Sequence, residues 1–275
     1  NALMFGIATP GVRFTLSPLD LAISKDTGLP TSLANQYVVH NFGGASTISN
    51  NFGINTVDFA LAPGPITANL VTGTSSDGAG GTLALVGITG VIGSNFNDSI
   101  IGNASDGILQ GGAGDDTLLG GAGNDTISPG AGSNSIDGGG GFNVLDMSDS
   151  NQSLTVVVSR GDVGHDDGSD TIQNIQRIIG SARADLFYAG PNSISIAAGA
   201  GNDSFVGGGG NNTFDGGSGI DSVEYHLAPG DVEVKLFTNT VQHNGFGGRD
   251  LLSGIEFGRG SDHNGTLTSA AGPST

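Results

Sequence analysis

The stretch GGAGDDTLLGGAGNDTIS, residues 111–128, contains two consecutive copies of the nine-residue pattern GGxGxDxUx, in which U is a large apolar residue. Steps of nine residues from Gly93 define six units that end at Asp146, and steps from Gly180 define five more that end at Glu224. Every unit has an apolar residue at place eight: Ile100, Leu109, Leu118, Ile127, Ile136, Leu145, Phe187, Ile196, Phe205, Phe214 and Val223. This regularity indicates a repeat architecture in which one supersecondary unit recurs along the chain.

Glycine dominates places one, two and four of the unit, where it allows positive φ angles and tight turns. The triplet around place eight is too short for anything except a brief strand. The chain has 51 glycines and no sustained 3.6-residue apolar period, so long helices are not expected. We therefore predict an all-β fold of short strands and glycine-rich turns.

Place six carries a carboxylate or an amide in most units. Its residues are Asp98, Gly107, Asp116, Asp125, Asn134, Asn143, Asp185, Ile194, Asp203, Asn212 and Asp221. With the glycines, this pattern resembles the RTX family, the haemolysin-type calcium-binding repeats of secreted bacterial proteins, over residues 93–146 and 180–224. The resemblance implies a parallel β-roll or β-solenoid in which two units form one coil, so that each turn stacks on the turn 18 residues later.

The resemblance also implies that several Ca²⁺ ions bind between stacked turns. Backbone carbonyls from places one and three would join the place-six side chains of both turns in an all-oxygen cage, which calcium prefers. The expected metal ligands are Asp98, Gly111, Ala113, Asp116, Gly120, Ala122, Asp125, Asn134, Asn143, Asp185, Ala198, Ala200, Asp203, Gly216, Ser218 and Asp221.

Sorting place six by alternate turns predicts which gaps hold ions. Complete cages are expected where both partners are aspartates: Asp98 with Asp116, Asp185 with Asp203, and Asp203 with Asp221. Partial cages are expected where one partner is Asn134, Asn143 or Gly107. The gap between Ile194 and Asn212 is expected to hold no metal and to be closed by backbone and amide hydrogen bonds. The alternative is a solenoid that binds nothing, with amide ladders along the stack.

The charge balance favours metal over that alternative. The chain has 8 basic and 26 acidic residues, a formal net charge of −18, and Arg183 is the only basic residue within the two repeat blocks. Unit charges about 4.8 Å apart repel by about 0.9 kcal/mol in water and about 3.5 kcal/mol at an effective dielectric of 20, so stacked carboxylates need a cation. Nucleic acid and anionic membranes are poor partners for this chain. No apolar run approaches the roughly 20 residues that span a bilayer, so membrane insertion is not expected.

Three connectors of similar length separate and flank the blocks, at residues 59–92, 147–179 and 225–259. Each contains an alternating strand, a polar loop and a second apolar stretch, which predicts repeat blocks alternating with strand-rich connectors. Residues 1–58 are interpreted as a further connector with degenerate repeats, and residues 260–275 as a degenerate repeat with a tail. In the second connector, His165 lies among four aspartates, a pattern that fits either an extra calcium site or a solvated turn.

The sequence contains no HExxH, GxSxG or P-loop motif, so we do not expect an enzyme. It has no cysteine and no visible signal peptide, which fits the family's export of unfolded chains and folding on extracellular calcium. Beginning at Asn1 suggests a fragment or a processed chain. The leading hypothesis is a secreted structural or adhesive segment at the cell surface, with calcium, self-association and cell-surface polysaccharide as candidate partners. The alternatives are a C-terminal export module of a larger exoenzyme or toxin, and a polysaccharide-active β-helix enzyme.

Overall fold

The computed structural model describes residues 36–38, 46–49 and 55–268. Most of segment 1–58 and the end of segment 260–275 lie outside the described residues, so the interpretation of those parts stays a prediction. The strands are β1 (Gln36–Val38), β2 (Ser46–Ser49), β3 (Thr56–Asp58), β4 (Thr67–Asn69), β5 (Thr74–Ser76), β6 (Thr82–Val86), β7 (Gly90–Ile92), β8 (Ser99–Ile101), β9 (Ile108–Ala113), β10 (Thr117–Leu119), β11 (Thr126–Ala131), β12 (Ser135–Asp137), β13 (Val144–Asp146), β14 (Thr155–Val157), β15 (Asp162–His165), β16 (Gly168–Gln173), β17 (Arg177–Ile179), β18 (Leu186–Tyr188), β19 (Ser195–Ala197), β20 (Ser204–Val206), β21 (Thr213–Asp215), β22 (Ser222–Glu224), β23 (Val232–Lys235), β24 (Thr240–Asn244), β25 (Asp250–Ser253), β26 (Phe257–Arg259) and β27 (Thr266–Thr268). A single 3-10 turn covers Leu236–Thr238 in the described part of the chain.

The strands form two sheets, of 13 and 14 strands, and successive units of a repeat block alternate between them. Pairing within the blocks is parallel with a constant offset of two units, because Thr117 pairs with Ser99 on one side and with Ser135 on the other. In the other sheet, Thr126 pairs with Ile108 in the same way. The predicted all-β fold, a parallel β-roll or β-solenoid, is confirmed.

The place-eight side chains form the core between the two sheets. All eleven are at most 2% exposed, and they belong to one continuous buried cluster. In the second block the core is aromatic: the ring centroids of Phe187 and Phe205 are 5.3 Å apart, and those of Phe205 and Phe214 are 5.0 Å apart. Burying one such side chain contributes about 1.5–3 kcal/mol, so a file of them stabilises the stack without any long helix or strand.

The connectors are strand-rich, as predicted, and each inserts a three-stranded antiparallel meander into a sheet. The meanders are β4 to β6, β14 to β16, and β23 to β25. The first two lie in the 14-stranded sheet and the third in the 13-stranded sheet. The third meander lies in a different sheet because the two blocks differ in their number of units. The first block has six units and the second has five, so the chain leaves the second block from the opposite sheet. In each connector the strand after the meander, β7, β17 or β26, joins the other sheet and restores the parallel stack.

Candidate metal centre

The place-six side chains form hydrogen-bonded columns in the turns between the sheets. Within a block, each of these side chains from the second coil onward accepts a hydrogen bond from the backbone N–H of the place-six residue one coil earlier. Asp116 Oδ1 accepts from the N–H of Asp98 at 2.8 Å, and Asp203 Oδ1 accepts from that of Asp185 at 2.7 Å. The side chains are buried, with Asp116 and Asp203 each 1% exposed. One oxygen of each carboxylate therefore holds the backbone of the neighbouring turn.

The connectors complete these columns with side chains that the sequence analysis did not assign to them. The N–H of Asn134 donates to Asp170 Oδ1 at 2.8 Å, and that of Asn212 donates to Asp250 Oδ1 at 2.9 Å. On the alternate turns the acceptors are Gln176, for Asn143 at 2.6 Å, and Glu256, for Asp221 at 2.8 Å. The sequence contained a signal for these residues. Asp170 and Asp250 each lie ten residues before the glycine that begins the following repeat, Gly180 or Gly260, and Gln176 and Glu256 each lie four residues before it.

The second oxygen of four place-six carboxylates is buried without a hydrogen-bond partner among the residues that the structure describes. These four are Asp116, Asp125, Asp203 and Asp221. Leaving a charged oxygen in this state is costly, because burial removes its water and nothing replaces it. Desolvation raises the pKa of Asp116 to about 7 and that of Asp203 to about 6, and it also raises the pKa of Asp125 and of Asp221.

For Asp116, Asp125 and Asp221 the free oxygen lies in a cradle made by the glycine at place one, whereas the unit of Asp203 has Ala198 at that place. A Cβ atom built on Gly120 would lie 2.6 Å from Asp125 Oδ2 and 2.6 Å from the carbonyl oxygen of Gly138 in the next turn. A Cβ on Gly111 would likewise collide with Asp116 Oδ2 and with the carbonyl oxygen of Pro129. In each case the free carboxylate oxygen and a backbone carbonyl oxygen thus face the same place-one glycine. This donor set fits a hard cation such as Ca²⁺, which prefers carboxylate and carbonyl oxygens.

The asparagines at place six show which further carbonyls face this space. Asn143 Nδ2 donates to the carbonyl of Gly140, at place three of its own turn, and to that of Asn174 in the next turn, both at 3.0 Å. Asn212 Nδ2 similarly donates to the place-three carbonyl of Gly209 at 3.1 Å. The place-three residues of the aspartate units are the predicted ligands Ala113, Ala122, Ala200 and Ser218. An amide thus supplies hydrogens to carbonyls that a cation would contact in an aspartate unit.

The predicted hydrogen bond across the gap between Ile194 and Asn212 is present, with Ile194 N–H donating to Asn212 Oδ1 at 3.2 Å. Asn134 also uses both ends of its amide: Oδ1 accepts from Asp116 N–H at 2.9 Å, and Nδ2 donates to Asp170 Oδ1 at 2.9 Å. The amides at place six are therefore occupied by hydrogen bonds within the stack.

The aspartates around His165 do not converge on one point. Asp162 pairs with Arg160 at 3.2 Å, and Asp167 Oδ1 contacts His165 Nδ1 at 2.6 Å. Asp170 lies in the place-six column, with its Oδ2 at 3.4 Å from His165 Nε2. Across residues 36–38, 46–49 and 55–268, no three His, Cys, Asp or Glu side chains are grouped to hold a metal. Any ion in the columns would therefore bind at most two such side chains and draw its other ligands from oxygens such as backbone carbonyls.

A second column at place five was also missed by the sequence analysis. Here the side chain accepts from the backbone one coil later: Ser133 N–H donates to Asp115 Oδ1 at 2.8 Å, and Phe142 N–H donates to Asn124 Oδ1 at 2.7 Å. These side chains are exposed, and they bond in the opposite direction to those at place six. The recurrence of Asn, Asp and Ser at place five was the available signal.

The fold and the free carboxylate oxygens define a parallel β-solenoid with oxygen-lined turns suited to calcium. The model of the RTX calcium-binding nonapeptide repeat, which describes four copies of the repeat, matches this chain over residues 92–127, 110–145 and 195–223. The match confirms the resemblance, and residues 92–145 and 195–223 are RTX repeats. No curated protein matches the chain significantly.

Among solved structures, the chain is similar to the extracellular lipase LipA from Serratia marcescens at 20% identity and a TM-score of 0.16. The similarity covers 61% of this chain, which spans 38% of the lipase chain. A TM-score this low supports no argument about fold or activity.

Proposed function

We propose that this chain is a non-catalytic calcium-dependent structural module that acts outside the cell as a structural or adhesive segment. The observation that carries the proposal is that four place-six aspartates each have a buried oxygen without a hydrogen-bond partner in the described part of the chain. A folded state with such oxygens has low stability without a cation and higher stability with one. Calcium would therefore act as a folding ligand.

The location follows from where such a ligand is abundant. Extracellular calcium modules have dissociation constants of about 10⁻⁴ to 10⁻³ M, far above cytosolic calcium levels. The chain would then stay unfolded inside a cell and fold outside it. The net charge of −18 supports this account, because self-repulsion favours an expanded chain until cations bind. No helix within the described residues is long and apolar enough to cross a membrane.

An adhesive or self-associating role is supported by exposed apolar side chains near the third connector. Leu227, Leu251, Phe257 and Leu267 are 52–61% exposed. Leu251 and Phe257 belong to different sheets, so these side chains offer apolar contacts on two faces of the solenoid. Concentration-dependent association in calcium, measured by sedimentation velocity, tests this part of the proposal.

Circular dichroism during a calcium titration tests the folding role. We expect the β-sheet signal to increase with calcium and to fall again when EGTA is added. Magnesium serves as the matched control, because its demand for near-ideal octahedral geometry does not suit a cage of backbone carbonyls. An equal β-sheet signal and equal thermal stability in EGTA and in calcium would show that calcium is not a folding ligand.

A further inference from the structure

We propose that the residue at place two of each unit decides whether the place-six aspartate binds calcium or acts as a metal-independent end of its column. On this proposal Ser94 and Ser181 hold Asp98 and Asp185 by hydrogen bonds, and the ion-binding aspartates begin one coil later, at Asp116 and Asp203. The inference rests on the proposed calcium-binding function. It differs from the sequence expectation, which gave Asp98 and Asp185 complete cages.

The two blocks begin with the same arrangement. Ser181 donates its N–H to Asp185 Oδ2 at 2.8 Å, and its Oγ lies 2.9 Å from Oδ1 and 3.1 Å from Oδ2. Leu154 N–H, from the connector, donates to Asp185 Oδ1 at 2.8 Å. Both oxygens of this buried carboxylate are thus satisfied by protein donors.

The first block repeats each of these contacts. Ser94 N–H donates to Asp98 Oδ2 at 2.5 Å, and Ser94 Oγ lies 2.8 and 3.0 Å from the two carboxylate oxygens. Ile66 N–H from the preceding connector donates to Asp98 Oδ1 at 2.8 Å. The recurrence in a second, independent block indicates a structural rule and not a local accident.

Backbone conformation explains why the rule depends on place two. The four place-six aspartates with a free oxygen are those whose unit has a place-two glycine at positive φ: Gly112 at 110°, Gly121 at 118°, Gly199 at 110° and Gly217 at 85°. Neither Ser94 nor Ser181 is among the described non-glycine residues with positive φ. An L-residue avoids that region, because its Cβ collides with the backbone. In the serine units the place-two N–H reaches the carboxylate, whereas in these glycine units it does not.

The rest of the cradle is the same in the serine units and in the units of Asp116, Asp125 and Asp221, whereas the unit of Asp203 has Ala198 at place one. A Cβ on Gly180 would lie 2.8 Å from Asp185 Oδ2 and would collide with the carbonyl oxygen of Ala198. The same two kinds of oxygen surround Gly93, from Asp98 and from Gly111. The difference is that two serine hydrogens already point at the carboxylate. These hydrogens occupy its lone pairs and repel a cation, so the first coil of each block needs no metal.

Paired substitutions by asparagine within one column test the proposal. Asparagine folds at place six, since Asn134, Asn143 and Asn212 already occupy it. We expect Asp203→Asn to lower the number of Ca²⁺ ions per chain by one, measured by equilibrium dialysis or native mass spectrometry. We expect Asp185→Asn to leave that number unchanged. Asp116→Asn and Asp98→Asn repeat the comparison in the first block.

Stability without calcium provides a second, independent measurement. In EGTA, Asp185→Asn should lower the urea midpoint, because it turns an amide hydrogen towards the serine donors, whereas Asp203→Asn should raise it by removing an unpaired charge. If EGTA leaves the chain unfolded, refolding by trimethylamine N-oxide gives the same ranking.

The outcomes separate the two proposals. Equal ion loss from Asp185→Asn and Asp203→Asn, or equal shifts in EGTA, overturns the role of place two while leaving calcium binding intact. A wild-type chain that binds no calcium ends the proposed function. In that case the stability ranking alone still decides whether serine satisfies Asp98 and Asp185.

Discussion

Acidification should stabilise the calcium-free fold, because protons neutralise the buried aspartates that lack a cation. Burial raises the pKa of Asp116 from 3.8 to about 7, and a tenfold change in proton affinity is worth about 1.4 kcal/mol. Ionised Asp116 therefore costs about 4 kcal/mol above pH 7. For Asp203, whose pKa rises from 3.8 to about 6, the corresponding cost is about 3 kcal/mol. Two such sites are comparable to the whole stability of a typical domain.

The sign of the pKa shifts determines how the folding stability changes with pH. A carboxylate with a raised pKa holds its proton more tightly in the folded state, so folding is favoured below the unfolded pKa. This stabilisation is lost as the pH rises through the folded values of about 6 and 7. In calcium the trend reverses, because protons compete with the ion for the same oxygens. Calcium affinity should fall as the pH drops below about 7.

Urea unfolding followed by circular dichroism, in EGTA between pH 5 and pH 8, measures this effect. Asp116→Asn is the control, since it removes the titrating group while keeping the acceptor for Asp98 N–H. We expect the variant to lose its share of the pH dependence and to be more stable than wild type at pH 8 in EGTA. A wild-type fold in EGTA that is no more stable at pH 5 than at pH 8 would refute the reasoning. So would an Asp116→Asn variant with an unchanged pH profile.

The core and the amide positions give two further predictions. Phe205→Ala should lower the unfolding free energy in calcium by about 3–5 kcal/mol, because it opens a cavity in the aromatic file, while Phe142→Ala, at a side chain 52% exposed, should change it by less than about 0.5 kcal/mol. Chemical denaturation of both variants checks this, and similar losses would argue against a continuous core. Asn143→Asp should replace the amide hydrogens facing Gly140 with a free carboxylate oxygen, adding one Ca²⁺ per chain and weakening the fold in EGTA. An unchanged ion count from native mass spectrometry would contradict the cradle geometry.

Periodicity and the RTX resemblance together determined the architecture of this protein. The nine-residue repeat with an apolar place eight indicated a stack of short strands, and the resemblance implied a coil of two units with the 18-residue register that the structure shows. The burial of Leu118 and the other place-eight residues, the parallel pairing and the strand-rich connectors were therefore predictable. The polar character of place six also marked the turns where charge had to be neutralised.

Only the tertiary structure decided which carboxylate oxygens are free. Place six is an aspartate at both Asp185 and Asp203. Both carboxylate oxygens of Asp185 accept hydrogen bonds, from Ser181 and from a connector N–H, whereas Asp203 keeps a buried oxygen without a partner among the described residues. The difference depends on the φ angle of place two and on the N–H of Leu154, a connector residue 31 positions from Asp185. Ser181 lies in the same unit as Asp185, but stacking brings Leu154 to the carboxylate, so the composition of a single unit specifies only part of the hydrogen-bond set.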